Sequence, residues 1–211
     1  MGWYGDLVVP YCIELGCGMS TLVPAREAAV RGLFGDVLEI GFGSGLNVPY
    51  YPDDVQKVLA VDPSKVARHI GRKRIANARC PIESIGLDAE RIAAADGSAD
   101  AALSTFTLCS IPDVECALAE VKRILKPGGR LHFLEHGRAP DVAVARWQDR
   151  INGVQRTLCG GCNLNRDMRR LVERAGFHIE SLEASYFPGI PRTHGFMFAG
   201  VAVAGRADAP A

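Results

Sequence analysis

Apolar residues fall into two rhythms along this chain. Short runs rich in Val, Ile, Leu and Ala occupy 36–40, 58–62, 82–86, 99–106 and 130–135, bounded by Gly, Pro, Asp and Ser. Runs of this kind fit strands buried on both faces of a parallel sheet. Between them the spacing becomes helical. Val114, Leu118, Val121 and Leu125 recur on one face of a helix over 113–125. Lys126-Pro127-Gly128-Gly129 stops it, because Pro cannot continue a helix and Gly fits the turn. Residues 64–77 read as another helix, with Ser64 as its N-cap.

The second half keeps the alternation with different detail. Trp147, Ile151, Val154 and Leu158 form an apolar face at helical spacing, expected to pack into the core. Asn165 is expected to cap a helix carrying Met168, Leu171, Val172 and Ala175 and ended by Gly176. Two closing strands are expected at 178–187 and 194–203, as an antiparallel pair completing a seven-stranded sheet. The pattern predicts one α/β domain over 1–211, a sandwich around a mostly parallel sheet with an antiparallel last strand. Residues 1–32 stand outside the alternation as a cap. Trp3, Tyr4, Leu7, Val8 and Tyr11 suit packing over the sheet, a lid over a site, or peripheral contact of residues 1–20 with a membrane. Residues 205–211 read as a loose tail.

Charge narrows the function. The 211 residues carry 24 basic and 24 acidic side chains, so no general nucleic-acid surface is expected. No apolar stretch is long enough to span a bilayer and no signal peptide is evident, which makes a cytoplasmic protein the expectation. Seven cysteines at irregular spacing do not resemble a secreted disulfide framework. Cys159-Gly160-Gly161-Cys162 supplies two metal ligands where a structural zinc needs four, so it reads as a Gly-rich bend and no metal is expected.

The candidate chemistry lies in Glu39-Ile40-Gly41-Phe42-Gly43-Ser44-Gly45, followed by Val61-Asp62-Pro63. A strand ends in an acid, and the turn has glycine at every second position. Glycine lets backbone amides approach a ligand closely. A dinucleotide fingerprint is G-x-G-x-x-G. Here the third glycine comes one place early, which favours S-adenosylmethionine (SAM). Its amino-acid end is zwitterionic, and Glu39 can meet the ammonium. Asp62, leaving the next strand, can accept both ribose hydroxyls.

Together with Ala95-Asp96-Gly97-Ser98-Ala99-Asp100 and Leu125-Lys126-Pro127-Gly128-Gly129, these residues resemble the class I SAM-dependent methyltransferases over about 33–136. Thr107-Leu108-Cys109-Ser110, Phe133-Leu134-Glu135-His136-Gly137, Trp147-Gln148 and Gly161-Cys162-Asn163-Leu164 look like a narrower branch. That branch holds the membrane-associated alkyl-thiol S-methyltransferases of animals and bacterial proteins of unassigned substrate. The likeness to quinone and phospholipid methyltransferases is looser. The resemblance implies a three-layer Rossmann-like fold and a SAM site. In it Glu39, Gly41, Gly43 and Gly45 hold the methionine end, and Asp62 with Pro63 holds the ribose. Asp88 and Ala89 then lie near the adenine, and Ser104 and Thr105 beneath the sulfonium. The animal proteins carry a hydrophobic N-terminal anchor, whereas this chain shows only its short apolar segment.

Methyl transfer from a sulfonium needs alignment and water exclusion more than acid–base work. The expected acceptor is small and apolar: a thiol, a quinone-like ring or a lipid amine. His136, just past the fifth strand at the sheet's carboxyl edge, is the candidate base. Cys109 is expected to line the pocket without reacting. Ser104-Thr105-Phe106-Thr107 is not the Asn/Asp-Pro-Pro-aromatic motif that aligns exocyclic or amide nitrogens, which lowers the weight of base N-methylation. The alternatives are an NAD-dependent oxidoreductase and a SAM-binding protein without catalysis.

Overall fold

The computed structural model describes residues 3–205, so the expected tail lies outside the described residues from 206 onward. Seven strands form one sheet: β1 (Gly35–Ile40), β2 (Val55–Val61), β3 (Ile82–Gly86), β4 (Ala99–Thr105), β5 (Leu125–His136), β6 (Phe177–Tyr186) and β7 (Phe196–Ala204). Their order is β3-β2-β1-β4-β5-β7-β6. The first five are mutually parallel, and β7 runs antiparallel to both β5 and β6. The order reverses between β1 and β4, the place where open α/β sheets bind ligands.

Successive side chains of a strand point to opposite faces, and the core divides accordingly. Leu38, Ile40, Leu59, Ala102, Leu131 and Phe133 join one cluster. Val37, Val58, Ala60, Ala101, Leu103 and Leu134 join the other. Helices α5 (Val114–Ile124) and α7 (Met168–Arg174) pack on the first face through Leu118, Val121, Met168 and Val172. Helix α3 (Val23–Val30) packs on the second through Ala25, Ala29 and Val30, with Ile75 of α4 (Lys65–Ala76) beside it. Three layers result. Ser64 caps α4 by accepting from Ala67 N (3.0 Å), and Asp113 caps α5 by accepting from Cys116 N (3.0 Å).

The structure corrects two expectations on the first of these faces. Helix α6 (Val142–Leu158) leaves its apolar stripe in solvent, with Trp147 56%, Val154 63% and Leu158 50% exposed. What anchors it is polar. Gln148 is fully buried, accepts from Ala139 N (2.9 Å) and donates to Gly137 O (3.0 Å) and Thr193 O (3.1 Å). Asn165 does not cap α7. Asp167 does, accepting from Arg170 N (3.1 Å), and Met168 and Val172 of the helix it opens are buried in the core. Asn165 instead donates to Asp149.

The N-terminal cap is several short helices: α1 (Trp3–Leu7), α2 (Val9–Cys17), a 3₁₀ turn (Ser20–Leu22) and α3. Among the described residues no helix is long and apolar enough to cross a membrane.

The two kinds of apolar stripe have different consequences. Leu118→Ala, in the core, should lower stability by about 2–5 kcal/mol in urea titration. Trp147→Ser, on α6, should change it by less than about 1 kcal/mol. Equal losses would mean that α6 packs as the sequence pattern alone suggested.

Candidate functional site

A cavity of about 800 Å³ lies over the carboxyl ends of β1, β2 and β4, within the range of small-molecule sites. Two groups of residues form its wall: Gly41, Gly43, Asp62, Asp88 and Ala89, and Val9, Pro10, Ile13, Phe106, Ile111 and Pro112. The first group is polar and glycine-rich, the second largely apolar.

The glycine turn is built to leave space. Gly41, Gly43 and Gly45 all have positive φ (68°, 57° and 72°). A Cβ on Gly41 would lie 1.8 Å from Thr107 Oγ1, whereas one on Gly43 would meet no heavy atom closer than 3.8 Å. Behind the turn, a Cβ on Gly71 of α4 would lie 2.0 Å from Ser44 O, so loop and helix touch backbone to backbone.

Asp62 closes the turn from β2. Its Oδ2 accepts from Gly43 N (2.8 Å) and its Oδ1 from Ser64 N (2.7 Å). Each carboxylate oxygen has a second lone pair, so the group retains capacity for a diol. Burial holds its carboxyl above the usual range, against the lowering by those two N–H groups. The cradle therefore fits SAM: a turn left open at Gly43, an acid with spare acceptors, and a buried cation at the methionine end.

That cation is Arg26. Its guanidinium lines the cavity, donates to Asn47 Oδ1 (2.7 Å), Thr105 Oγ1 (3.3 Å) and Cys17 O (2.8 Å), and lies 5.4 Å from the Phe106 ring centre. Asn47 Nδ2 donates in turn to Glu39 Oε1 (2.8 Å) and Thr105 Oγ1 (2.9 Å), and Tyr51 donates to Glu39 Oε2. Burial raises the Glu39 carboxyl to about 7, against the lowering by Tyr51, Asn47 and Arg26. Phe106 is the one non-glycine at positive φ (54°) among the described residues, and it lies in the cavity wall, where such strain concentrates.

Helix α2 covers the cavity and is fastened to its floor. Glu14 accepts from Ser44 Oγ of the glycine turn and pairs with Arg74 of α4, which also donates to Ser44 O (2.8 Å). Cys17 lines the cavity, and burial pushes its thiol up to about 11, so it stays protonated at neutral pH.

The family described as a methyltransferase domain matches residues 38–133. Thiol S-methyltransferase TMT1A of Homo sapiens is 33% identical over 67% of this chain and 59% of its own length. A demethylmenaquinone methyltransferase of Renibacterium salmoninarum is 36% identical over 47% of this chain and 40% of its own. A solved SAM-dependent methyltransferase from Thermotoga maritima superposes with a TM-score of 0.68 at 22% identity, covering 96% of this chain and 98% of the other.

This chain carries a SAM-dependent methyltransferase domain. The dinucleotide alternative falls with that assignment. The chain covers less than two thirds of the length of the thiol S-methyltransferases it matches, and the structural likeness speaks for the fold alone.

The methyltransferase domain brings Gly41, Gly43, Asp62, Pro63, Asp88, Ala89 and Thr105 to the cavity wall. Glu39 and Ser104 are fully buried beneath it. Glu39 acts on the site through Asn47, and Ser104 donates to Glu135 Oε1 (2.7 Å). Gly45 supports the turn against Val48 and Phe42 without lining the cavity. His136 is not in the lining, and its Nε2 lies 3.0 Å from Cys162 Sγ. Cys109, expected in the pocket, is buried behind it. Arg26, Asn47, Tyr51 and Glu14 were not expected. One signal was available: Arg26 occupies a core position among Leu22, Ala25, Ala29 and Val30 at helical spacing.

Asp62→Ala should weaken binding of S-adenosylhomocysteine by about 1–3 kcal/mol in calorimetry, since it removes a charged acceptor and frees Gly43. Unchanged affinity would place the ribose elsewhere. Glu39 gives a pH test. Its folded carboxyl is raised to about 7 from an ordinary value of 4.5, so the folded chain binds the extra proton between these values and stability falls as pH rises through them. Glu39→Gln should shrink the fall in melting temperature between about pH 5 and about pH 8. An unchanged fall would mean that the carboxyl titrates normally.

Proposed function

We propose that this domain methylates a small apolar thiol with SAM, and that α1 and α2 act as the lid of the reaction chamber. The observation that carries this reading is the cavity itself, a SAM cradle continuous with an apolar chamber whose lining contains no histidine among the described residues. When bound, SAM supplies an activated methyl group that needs an aligned nucleophile and little else.

The chain's residues supply alignment and dryness. Asp62 accepts the ribose hydroxyls, and Arg26 receives the methionine carboxylate as a charge-assisted partner. Val9, Pro10 and Ile13 of α2 keep water from the acceptor, and Phe106 and Ile111 add to the same apolar wall. A thiol suits such a site, because even its small thiolate fraction is a strong nucleophile, which removes the need for a dedicated base. Its proton goes to solvent before the methyl is received. An amine or phenol would gain more from a base in the lining. The thiol S-methyltransferase likeness covers more of this chain than the demethylmenaquinone one, which favours sulfur over ring carbon.

Purified chain should convert an alkyl thiol and SAM to the methyl thioether and S-adenosylhomocysteine. Log kcat/KM should rise with pH and level off at the acceptor's own thiol pKa, so a more acidic thiol shifts the profile down by its pKa difference. A midpoint common to all thiols would reveal a base on the enzyme. Turnover of a quinol and of no thiol would overturn the acceptor assignment. Arg26→Met should weaken S-adenosylhomocysteine binding by about 1–3 kcal/mol.

A further inference from the structure

Behind the chamber wall, three chemistry-bearing side chains converge from distant parts of the chain. Cys109 lies in the turn after β4, His136 ends β5, and Cys162 lies between α6 and α7. One donor atom from each lies within 4.8 Å of the other two, and His136 Nε2 is 3.0 Å from Cys162 Sγ. Zinc–sulfur and zinc–nitrogen bonds of about 2.3 and 2.0 Å in a tetrahedron put neighbouring ligand atoms about 3.5–3.8 Å apart. The cluster matches that scale.

The surroundings hold the donors in place. Asn163 donates both its backbone N (2.9 Å) and its Nδ2 (2.9 Å) to Cys109 O, which locks the two cysteine-bearing segments together. Gly161 reaches the bend at φ +89°, where a Cβ would press on Ser110 O at 3.0 Å. Gln155 Nε2 lies 3.7 Å from Cys162 Sγ. Arg166 donates to Leu108 O and to Ile111 O (2.8 Å) on either side of Cys109, placing a positive charge where thiolates would form. Two buried polar atoms at this spot, His136 Nδ1 and Glu135 Oε2, have no hydrogen-bond partner. As protein alone the cluster is unfinished.

We propose that Cys109, His136 and Cys162 form a site for one zinc-type divalent ion. Thiolate and imidazole donors select zinc among the common divalent ions over magnesium or calcium. Two thiolates neutralise the ion, so its burial leaves no net charge on the group. Loading converts two thiols to thiolates and releases two protons to solvent, and no electron is transferred. The fourth tetrahedral position falls to a ligand from outside the trio, such as water or a small thiolate. Thr107, Ser110 and Gly160, next to or near these ligands in sequence, line the chamber, so the ion would fasten three pieces of its wall. The C-x-x-C alone offers too few ligands. The fold adds Cys109 and His136 to Cys162 and leaves Cys159 exposed.

The test is titration of the reduced, metal-free full chain with Co²⁺ and then Zn²⁺. Cobalt should give a thiolate charge-transfer band in the near ultraviolet and the intense visible bands of a tetrahedral site, and zinc should displace it at one ion per chain. Cys162→Ser and Cys109→Ser should each lose the charge-transfer intensity of one thiolate and weaken binding. His136→Ala should weaken it too, and Cys159→Ser should leave both bands intact. Far-ultraviolet dichroism and S-adenosylhomocysteine binding report that each variant is folded. Three results would overturn the site: a folded wild type with no charge-transfer band, a band of undiminished intensity in Cys162→Ser, or a band lost in Cys159→Ser. A Cys109–Cys162 disulfide that persists after reduction with a water-soluble phosphine would overturn it as well.

Discussion

The structure turns on a buried charge that has to be satisfied. Glu39 sits at the end of a central strand with 1% of its surface exposed, and a carboxylate there is tolerable only if it is hydrogen-bonded or neutralised. Asn47 and Tyr51, which flank one short turn, bond to it directly, and Arg26 of α3 supports it through Asn47. Satisfying Glu39 places Asn47, and with it the far end of the glycine turn. Satisfying Arg26 places α3 and, through Cys17 O, the end of α2. The cofactor cradle and its cover are thus two sides of one hydrogen-bonded knot.

The sheet was legible because its central strands are buried on both faces, which leaves unbroken apolar runs that few other structures explain. The glycine turn was legible because a Cβ at Gly41 has nowhere to go. Two things were hidden. Periodicity reports a stripe of apolar residues but not what faces it, so α6 was read as core. A single glutamine, Gln148, does the anchoring there, and hydrophobic patterning has no term for it. Cap choice was hidden for a related reason. Asn165 and Asp167 are both good N-caps two residues apart, and tertiary contacts decide between them: Asn165 is drawn to Asp149, and Arg166 O accepts from Arg138 N. Within the site, the glycine turn and the Asp62 strand end were readable, and the cavity-lining Arg26 and the residues that hold the turn from behind were not. Arg26 and Glu14 lie far from the motif in sequence and join it only through the fold, and Tyr51, shortly after Gly45, belongs to no motif.

The position of His136 shows how topology reassigns chemistry. A histidine at the carboxyl end of a strand next to the switch point is well placed to serve as a base. Here its imidazole is turned to two cysteines in the wall, and Glu135 beside it spends one oxygen on Ser104 and on the N–H groups of Thr107 and Leu108. These contacts shape the segment leaving β4, which carries Thr107 against Gly41. Glu135 is therefore tied to the backbone that lines the chamber, and His136, the candidate base, to a cysteine behind it.

Floor and roof are held by different forces. The floor rests on buried hydrogen bonds and on backbone contact at Gly71, both sheltered from solvent. The roof is fastened by Glu14, a partly buried carboxylate paired with Arg74 across the boundary between α2 and α4, and by the bond from Arg26 to Cys17 O. Mobile ions weaken charge pairs that solvent reaches more than buried ones. Ionic strength therefore acts more on the entrance of this chamber than on its cradle.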